Sequence, residues 1–342
     1  MSESRKFSKL PFVLITSLFL VWGLSNNMTD TLLAAFKRIM SMTDFQTSWI
    51  QIAFYGSYFC LAIPAALYIK RFSYKSGVLL GLGLFIAGST LFYPASISMQ
   101  YGHFLTALFI LAGGLAILET TANPYIIAMG PEETATRRLN LAQSFNPIGS
   151  IFGILLGKIY ILSHLNPASS EERALMDPAQ LDLIQSEELN AVMGPYVVVA
   201  IVLILLWLLI YIVKMPKASD AAQDFSIAPA VKRLLKNKSY LTGIVAQFFY
   251  VGAQIGVWSF TIRYVMQELQ LNEQEASNYY LASLILFMCS GFICTWLMKF
   301  IRPGVLLISL SLLAVLATIC VIYLGGIIGV YALVLISGCM SL

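Results

Sequence analysis

Long apolar runs, each of about 20 residues or more, dominate this 342-residue sequence. A helix needs about 20 mainly apolar residues to cross a bilayer. Only 11% of the residues are charged, whereas a soluble domain has about a quarter. We therefore predict an all-α polytopic membrane protein with spans near residues 11–36, 47–69, 76–98, 103–129, 138–163, 195–213, 240–266, 275–299 and 304–324, and a tenth span that begins near Ile327.

The loops between these spans alternate in charge. Lys and Arg favour cytoplasmic loops, and they concentrate in the N-terminal tail and in every second connection, for example at Arg137 with Arg138 and between Lys214 and Lys238. The connection after the fifth span is acidic instead, and Asp177 with Pro178 predicts a short helix within it. We expect a multi-pass protein of the cell (inner) membrane with its N-terminus in the cytoplasm.

A polar, basic segment divides the chain into two halves. Residues 214–239 read KMPKASDAAQDFSIAPAVKRLLKNKS and follow the sixth span. A basic loop followed by Gly-Val-Leu-Leu occurs at corresponding places in the two halves, as expected of a transporter built from two related bundles. We predict an N-terminal six-helix bundle at 1–213, a cytoplasmic linker at 214–239 and a C-terminal bundle at 240–342.

The fourth predicted span carries an unpaired acid, Glu119, within GGLAILETTANPYIIAMG. A charge at bilayer depth costs at least ~2.5 to 3.5 kcal/mol on insertion scales, so such acids mainly face a wet cavity or carry protons. Asn123 lies on the same helical face, and Pro124 cannot donate to the Thr120 carbonyl. These features favour a functional acid at a cavity. The alternative is a carboxyl that only hydrogen-bonds a neighbouring helix.

Polar side chains form stripes on three other spans. Amide groups can match sugar hydroxyls as donors and as acceptors, and burying an amide without partners costs about 1 to 3 kcal/mol. These stripes are candidate sugar-binding faces. The alternative interpretation of Asp30 is a surface acid at the end of its span, and the alternative for the aromatic residues of the stripes is core packing. The stripes are Trp22, Asn26, Asn27 and Asp30 on span one, Asn140, Gln143 and Asn146 on span five, and Gln247, Tyr250, Gln254 and Trp258 on span seven.

Other kinds of chemistry lack a motif. Phe152 and Ile159 occupy positions where a phosphate-binding loop at Gly157 requires a glycine and a hydroxyl, so an ATP-driven pump is not expected. The cysteines lack a paired spacing, and we expect no metal site or disulfide. The basic residues are dispersed, which argues against a nucleic-acid partner, and no catalytic constellation predicts an enzyme. Gly149, Gly153 and Gly157 favour close helix packing.

Five motifs resemble the L-fucose/proton symporter (fucose permease) family of the major facilitator superfamily: WGLSNNMTDTLL, FYGSYF, LETTANPY, RRLNLAQSFN and AQFFYVGAQIGVWSFTIRY. The resemblance covers essentially the whole chain. It implies twelve helices, alternating access and sugar entry coupled to protons. It also implies that Asp30 and Glu119 are the proton-linked acids, and that Asn27, Gln143 and Asn146 contact sugar. Related hexose carriers tend to have glutamine where Glu119 stands, which favours the fucose branch.

Together these observations predict a monomeric, proton-driven L-fucose importer that uses no cofactor and whose partners are sugar, protons and the lipid bilayer. The alternatives are a glucose/galactose or amino-sugar symporter of the same fold and a sugar sensor without transport. The sequence stops inside the tenth span at Leu342. We therefore expect a truncated chain, with nine full spans and an incomplete second bundle, that does not accumulate sugar alone.

Overall fold

The computed structural model describes residues 9–40, 42–161, 165–166, 168, 172–173, 175–216 and 227–342. Across these ranges the regular structure is helical, without a β-strand. Nine of the described helical stretches are long and apolar enough to cross a membrane. The predicted all-α polytopic fold is therefore confirmed.

The helices follow one another with short connections over most of the chain. A 3-10 helix at Glu132–Thr134 precedes the fifth helix, and a π-helix at Gly157–Ile161 follows the sixth. The α-helices are α1 Lys9–Ile39, α2 Asp44–Arg71, α3 Tyr74–Ser98, α4 Tyr101–Ala128, α5 Ala135–Gln143, α6 Asn146–Leu156, α7 Pro178–Ile212, α8 Ile227–Lys236, α9 Lys238–Leu269, α10 Glu273–Leu297, α11 Pro303–Tyr323 and α12 Gly326–Cys339.

The fifth predicted span is present, but it is not one continuous helix. Helix α5 ends at Gln143 and α6 begins at Asn146. Between them the Phe145 amide donates to the Ala142 carbonyl at 3.2 Å, which is a tight turn and not an α-helical bond. Pro147 explains the break, because it has no N–H to donate to the carbonyl four residues before it.

The short helix predicted at Asp177 is also longer than expected. Asp177 caps the helix by accepting from the Ala179 amide at 3.3 Å, and Pro178 occupies the first turn, as predicted. The helix then continues without interruption to Ile212 as the sixth span. Its first turns are therefore an extension of a membrane helix, which continues through Pro195.

By its contacts the chain divides into two compact units. The first comprises Met1–Ala135 and Ile148–Ser219, and the second comprises Thr136–Pro147 and Asp220–Leu342. The bundle boundaries proposed from the sequence stay a prediction.

Glycines let α3 and α4 approach closely in the first unit. A Cβ at Gly81 would lie 3.0 Å from the Gly114 carbonyl oxygen, and a Cβ at Gly88 would overlap the backbone of Leu111. Transmembrane helices associate through such small residues because lipid gives no hydrophobic driving force between them. The contact fixes the rotation of α4, the helix that carries Glu119.

The predicted glycine ladder packs α6 against α1 in the same unit. A Cβ at Gly149 would overlap the Leu20 carbonyl, and a Cβ at Gly153 would overlap the Leu24 carbonyl. Close packing is thus confirmed at these two positions.

Side chains attach α7 to its neighbours at several levels. Gln185 donates to the Ile39 carbonyl at 2.6 Å, at the end of α1. Trp207 donates to the Leu79 carbonyl on α3 at 3.0 Å. Lys75 donates to the Tyr211 and Val213 carbonyls at 2.8 and 2.9 Å. A cation at that place satisfies the orphan carbonyls at a helix C-terminus.

In the second unit, α9 is attached to the turn between α11 and α12. Tyr264 donates to the Val321 carbonyl at 2.9 Å, and the Gly326 amide donates to the Glu268 carboxylate at 2.6 Å. Gly325 and Gly326 have φ values of 56° and 52°, which glycine adopts without strain. The turn needs these two glycines. The Glu268 carboxylate accepts a hydrogen bond from the Gly326 amide, which the turn exposes.

Candidate functional site

Glu119 lines a cavity of about 400 Å³ in the first unit. The cavity lies between α2 and α4, and its lining combines small, hydroxyl, amide and carboxyl groups from Tyr58, Ala62, Ala116, Glu119, Thr120, Asn123 and Pro124. The acid predicted from the fourth span therefore borders a space that can hold a ligand or water. This arrangement matches the usual setting of an intramembrane acid.

The residues after Glu119 shape the cavity wall through α4 itself. The Asn123 side chain donates to the Glu119 backbone carbonyl at 3.2 Å, and the Thr120 hydroxyl donates to the Ala116 carbonyl at 2.8 Å. Pro124 lies within the helix, which continues to Ala128. Both side chains donate to carbonyls of their own helix, and Glu119 supplies the carboxyl group of this wall.

Tyr58 supplies the opposite wall, from α2. Its neighbour Ser57 donates to the Phe109 carbonyl on α4 at 2.8 Å, and a Cβ at Gly113 would lie 3.0 Å from the Ser57 hydroxyl oxygen. This close contact fixes the two helices side by side. The Tyr58 hydroxyl lies near the Glu119 carboxyl group and the Trp22 indole. Tyr58 thus links the cavity to α1.

The predicted stripe on α1 is described at three of its four side chains. Asn27 donates to the Gly23 carbonyl at 3.0 Å. The Asn26 Oδ1 atom is buried and has no hydrogen-bond partner among the described residues. The Trp22 Nε1 atom is also buried and has no hydrogen-bond partner among the described residues. Asp30 lies in α1, but its side chain is outside the described residues.

The predicted amide stripe on span five separates into residues with different surroundings. The Asn140 amide donates to the Gly291 carbonyl at 3.0 Å and to the Thr295 hydroxyl at 2.9 Å, both on α10. Its two donors are therefore used within the second unit. The Gln143 side chain is exposed and that of Asn146 is half-buried, so these two remain the accessible members of the stripe.

The predicted stripe on α9 also divides. The Tyr250 hydroxyl donates to the Met340 carbonyl, and Tyr250 packs against the buried cluster that contains Ile336 and Met340. The Trp258 ring lies edge-on to Phe287, with centroids 5.2 Å apart. Its Nε1 atom is buried and has no hydrogen-bond partner among the described residues. Trp258 therefore has a buried donor without an acceptor in the part of the chain that the structure describes.

The two glutamines of that stripe differ in exposure. The Gln247 side chain is exposed, whereas that of Gln254 is half-buried. Neither side chain contradicts a substrate contact, and both assignments stay predictions.

Tyr58 is a residue of this site that the sequence indicates only weakly. The grouping of Tyr58 with Tyr55 and Gln51 predicts a cavity-facing side of the second span, without a specific role for Tyr58. Its register against Glu119 depends on how α2 packs on α4, which no local pattern specifies. The hydrogen bond from Ser57 to Phe109 fixes how α2 packs on α4 and therefore where Tyr58 lies relative to Glu119.

Residues 13–342 match the sequence profile described as Major Facilitator Superfamily. The chain belongs to the Major Facilitator Superfamily. Within this superfamily it is 40% identical over 339 residues to the L-fucose-proton symporter of Haemophilus influenzae, covering 97% of this chain and 79% of that protein. It is 38% identical to the L-fucose-proton symporter of Escherichia coli, covering 99% of this chain and 78% of that protein.

A more distant superfamily relative is the putative glucose/galactose transporter of Helicobacter pylori strain J99. It is 31% identical over 94% of this chain and 76% of its own length. Among solved structures, the Escherichia coli fucose:proton symporter FucP in the outward conformation aligns with a TM-score of 0.90 and 38% identity, over 97% of this chain and 82% of that one.

Proposed function

We propose that this protein is a proton-coupled symporter that imports L-fucose by alternating access. The observation that carries the proposal is its 38 to 40% identity with two L-fucose-proton symporters over nearly its whole length. The alignment to the FucP structure supports the same activity. The proton gradient would supply the energy, without a cofactor, and the carrier would act as a monomer with a cytoplasmic N-terminus.

In this proposal Glu119 carries the coupled proton. Its support is the cavity beside it and the lack of a basic residue in the cavity lining. Desolvation favours the neutral form of a carboxyl, and water in an open cavity favours the charged form. A carboxyl whose surroundings alternate between these two conditions can bind and release a proton in each cycle. Asp30 would gate or relay protons from the outer part of α1.

The sugar would be bound by amide and aromatic side chains of the predicted stripes. Two buried polar atoms without described partners, Asn26 Oδ1 and Trp258 Nε1, support this assignment. A sugar hydroxyl can donate to the first and accept from the second. The remaining proposed contacts are Trp22, Asn27, Asn123, Gln143, Asn146, Gln247, Tyr250 and Gln254.

The decisive experiment measures proton uptake on addition of sugar to the full-length protein, in weakly buffered solution and in proteoliposomes. We expect L-fucose to trigger uptake in the unmodified protein, and Glu119→Gln to abolish uptake and proton-driven accumulation while sugar exchange continues. The matched control is Glu187→Gln, because Glu187 is exposed on the first turns of α7. Unchanged sugar-dependent proton uptake in Glu119→Gln would contradict the assignment.

The second candidate is glucose or galactose symport, because one glucose/galactose transporter and two putative ones are 30 to 31% identical to this chain. The same assay separates the two candidates. Proton uptake with glucose or galactose, and none with L-fucose, would favour the second. Binding of sugar without exchange across a membrane would indicate a sensor.

A further inference from the structure

Helix α8 has an apolar face and, opposite to it, a cationic face that is interrupted only by Pro229 in the first turn. At 100° per residue, Ala230, Val231, Leu234 and Leu235 occupy about 140° of its circumference. The opposite side carries three cations within about 100°: Lys232, Arg233 and Lys236. A short helix with a large amphipathic contrast and a cationic polar face is the pattern of a helix that lies in a membrane interface.

The position of α8 holds it close to a membrane surface. Only Asn237 separates α8 from α9, which is apolar and long enough to span the membrane. Asn237 makes the corner rigid, because its amide donates to the Leu234 carbonyl at 3.0 Å and its side chain accepts from the Tyr240 amide at 3.2 Å. Ten residues reach about 15 Å, half of a ~30 Å hydrocarbon core, so α8 cannot cross.

Both faces of α8 remain available. The Val231 and Leu235 side chains are 46% and 60% exposed, which is unfavourable for apolar groups in water. Lys232, Arg233 and Lys236 are also exposed, and no described acid forms an ion pair with them. A partner of α8 must therefore have an apolar region that contacts Val231 and Leu235 and, next to that region, negative charge that contacts the three cations.

We propose that α8 binds anionic phospholipid headgroups at the membrane surface from which α9 enters the bilayer. The apolar face would insert at the boundary between headgroups and acyl chains, and the three cations would contact lipid phosphates. Each Lys or Arg near such a surface strengthens binding roughly fivefold, so three together give roughly a hundredfold at low ionic strength. This proposal rests on the membrane-spanning fold and is independent of the transported sugar.

The test is hydrogen exchange of residues 227–236 in the full-length protein, reconstituted into nanodiscs of phosphatidylcholine alone or with about a third phosphatidylglycerol. We expect up to a hundredfold slower exchange in the anionic discs. The difference should disappear in 1 M salt, where the screening length falls to about 3 Å. Equal exchange in the two lipids would overturn the proposal and would indicate a protein contact or a helix free in water.

A charge-matched pair of variants tests which residues bind. Lys232→Gln, Arg233→Gln and Lys236→Gln together should remove the lipid dependence. The control removes three other exposed cations, Lys214, Lys299 and Arg302, and should leave it intact. Loss of the lipid dependence in the control as well would show that net charge, and not α8, is responsible. If the triple variant does not fold, the comparison of lipids in the unmodified protein still decides the question.

Discussion

Glu188→Gln should loosen the connection that precedes α7. The Arg173 guanidinium donates to both carboxylate oxygens of Glu188, at 2.8 and 2.5 Å, and the two side chains are 0% and 2% exposed. The Asn166 amide donates to the same carboxylate at 2.7 Å. Glutamine retains the shape, but it removes the negative charge and turns one acceptor into a donor that faces the guanidinium.

The size of the effect follows from what the substitution leaves behind. Removing one partner of a buried ion pair costs about 3 to 5 kcal/mol, because the remaining charge is uncompensated. Arg173 also donates to the Asn166 and Ala168 carbonyls, at 3.2 and 3.3 Å. These bonds offset part of the loss, so we expect the lower end, about 3 kcal/mol, which is roughly a hundredfold in an equilibrium constant.

Native-state hydrogen exchange measures this effect locally. The Asn166 amide and the first turns of α7 should exchange roughly a hundredfold faster in Glu188→Gln than in the unmodified protein. Glu187→Gln, on the neighbouring exposed residue, is the control and should change little. A double variant, Arg173→Met with Glu188→Leu, should recover much of the protection, because apolar residues often replace a buried pair at little cost. Equal exchange in Glu188→Gln and Glu187→Gln would refute the reasoning.

Three further predictions concern transport. Asp30→Asn should reduce proton-driven uptake in proteoliposomes more than sugar binding; a binding loss that explains the whole transport loss would instead make Asp30 a sugar ligand. Gln143→Ala and Asn146→Ala should each weaken sugar affinity in calorimetry about two- to tenfold, one net hydrogen bond, and unchanged affinity in both would remove them from the site. Trp258→Phe should keep the unfolding midpoint but lose a similar factor in affinity, whereas unmodified affinity would make Trp258 a packing residue.

Hydropathy located the membrane helices because each span must satisfy its own backbone and face lipid, and both requirements act on about 20 consecutive residues. The helix caps were also predictable from neighbouring residues, as Asp177 with Pro178 illustrates. Pro147 was a local signal for the break between α5 and α6. Hydropathy averaged over the length of a span does not show the effect of this single residue. Fold class and helix order were therefore predictable, whereas interruptions inside a span require attention to single residues.

The site was predictable only as far as its residues lie on one helix. Glu119 stood out because the cost of an intramembrane acid is a property of its own segment. The placement of Tyr58 and Glu119 on the same cavity depends on the approach of α2 to α4 at Ser57 and Gly113. Such an approach is set by pairs of residues more than fifty positions apart, and one sequence does not specify it.

Helical spacing alone assigned the same interpretation, a substrate contact, to polar residues that have different surroundings in the structure. Asn140 and Tyr250 lie on predicted stripes, yet each donates to a backbone carbonyl of another segment. Asn26 and Trp258 lie on equivalent stripes and each retains a buried polar atom without a described partner. Because most buried polar groups in proteins are hydrogen-bonded, and an unpaired one costs about 1 to 3 kcal/mol, these atoms call for a partner such as substrate or water. Periodicity thus identifies which face of a helix is polar, and hydrogen-bond pairing identifies which of the described polar atoms on that face still lack a partner.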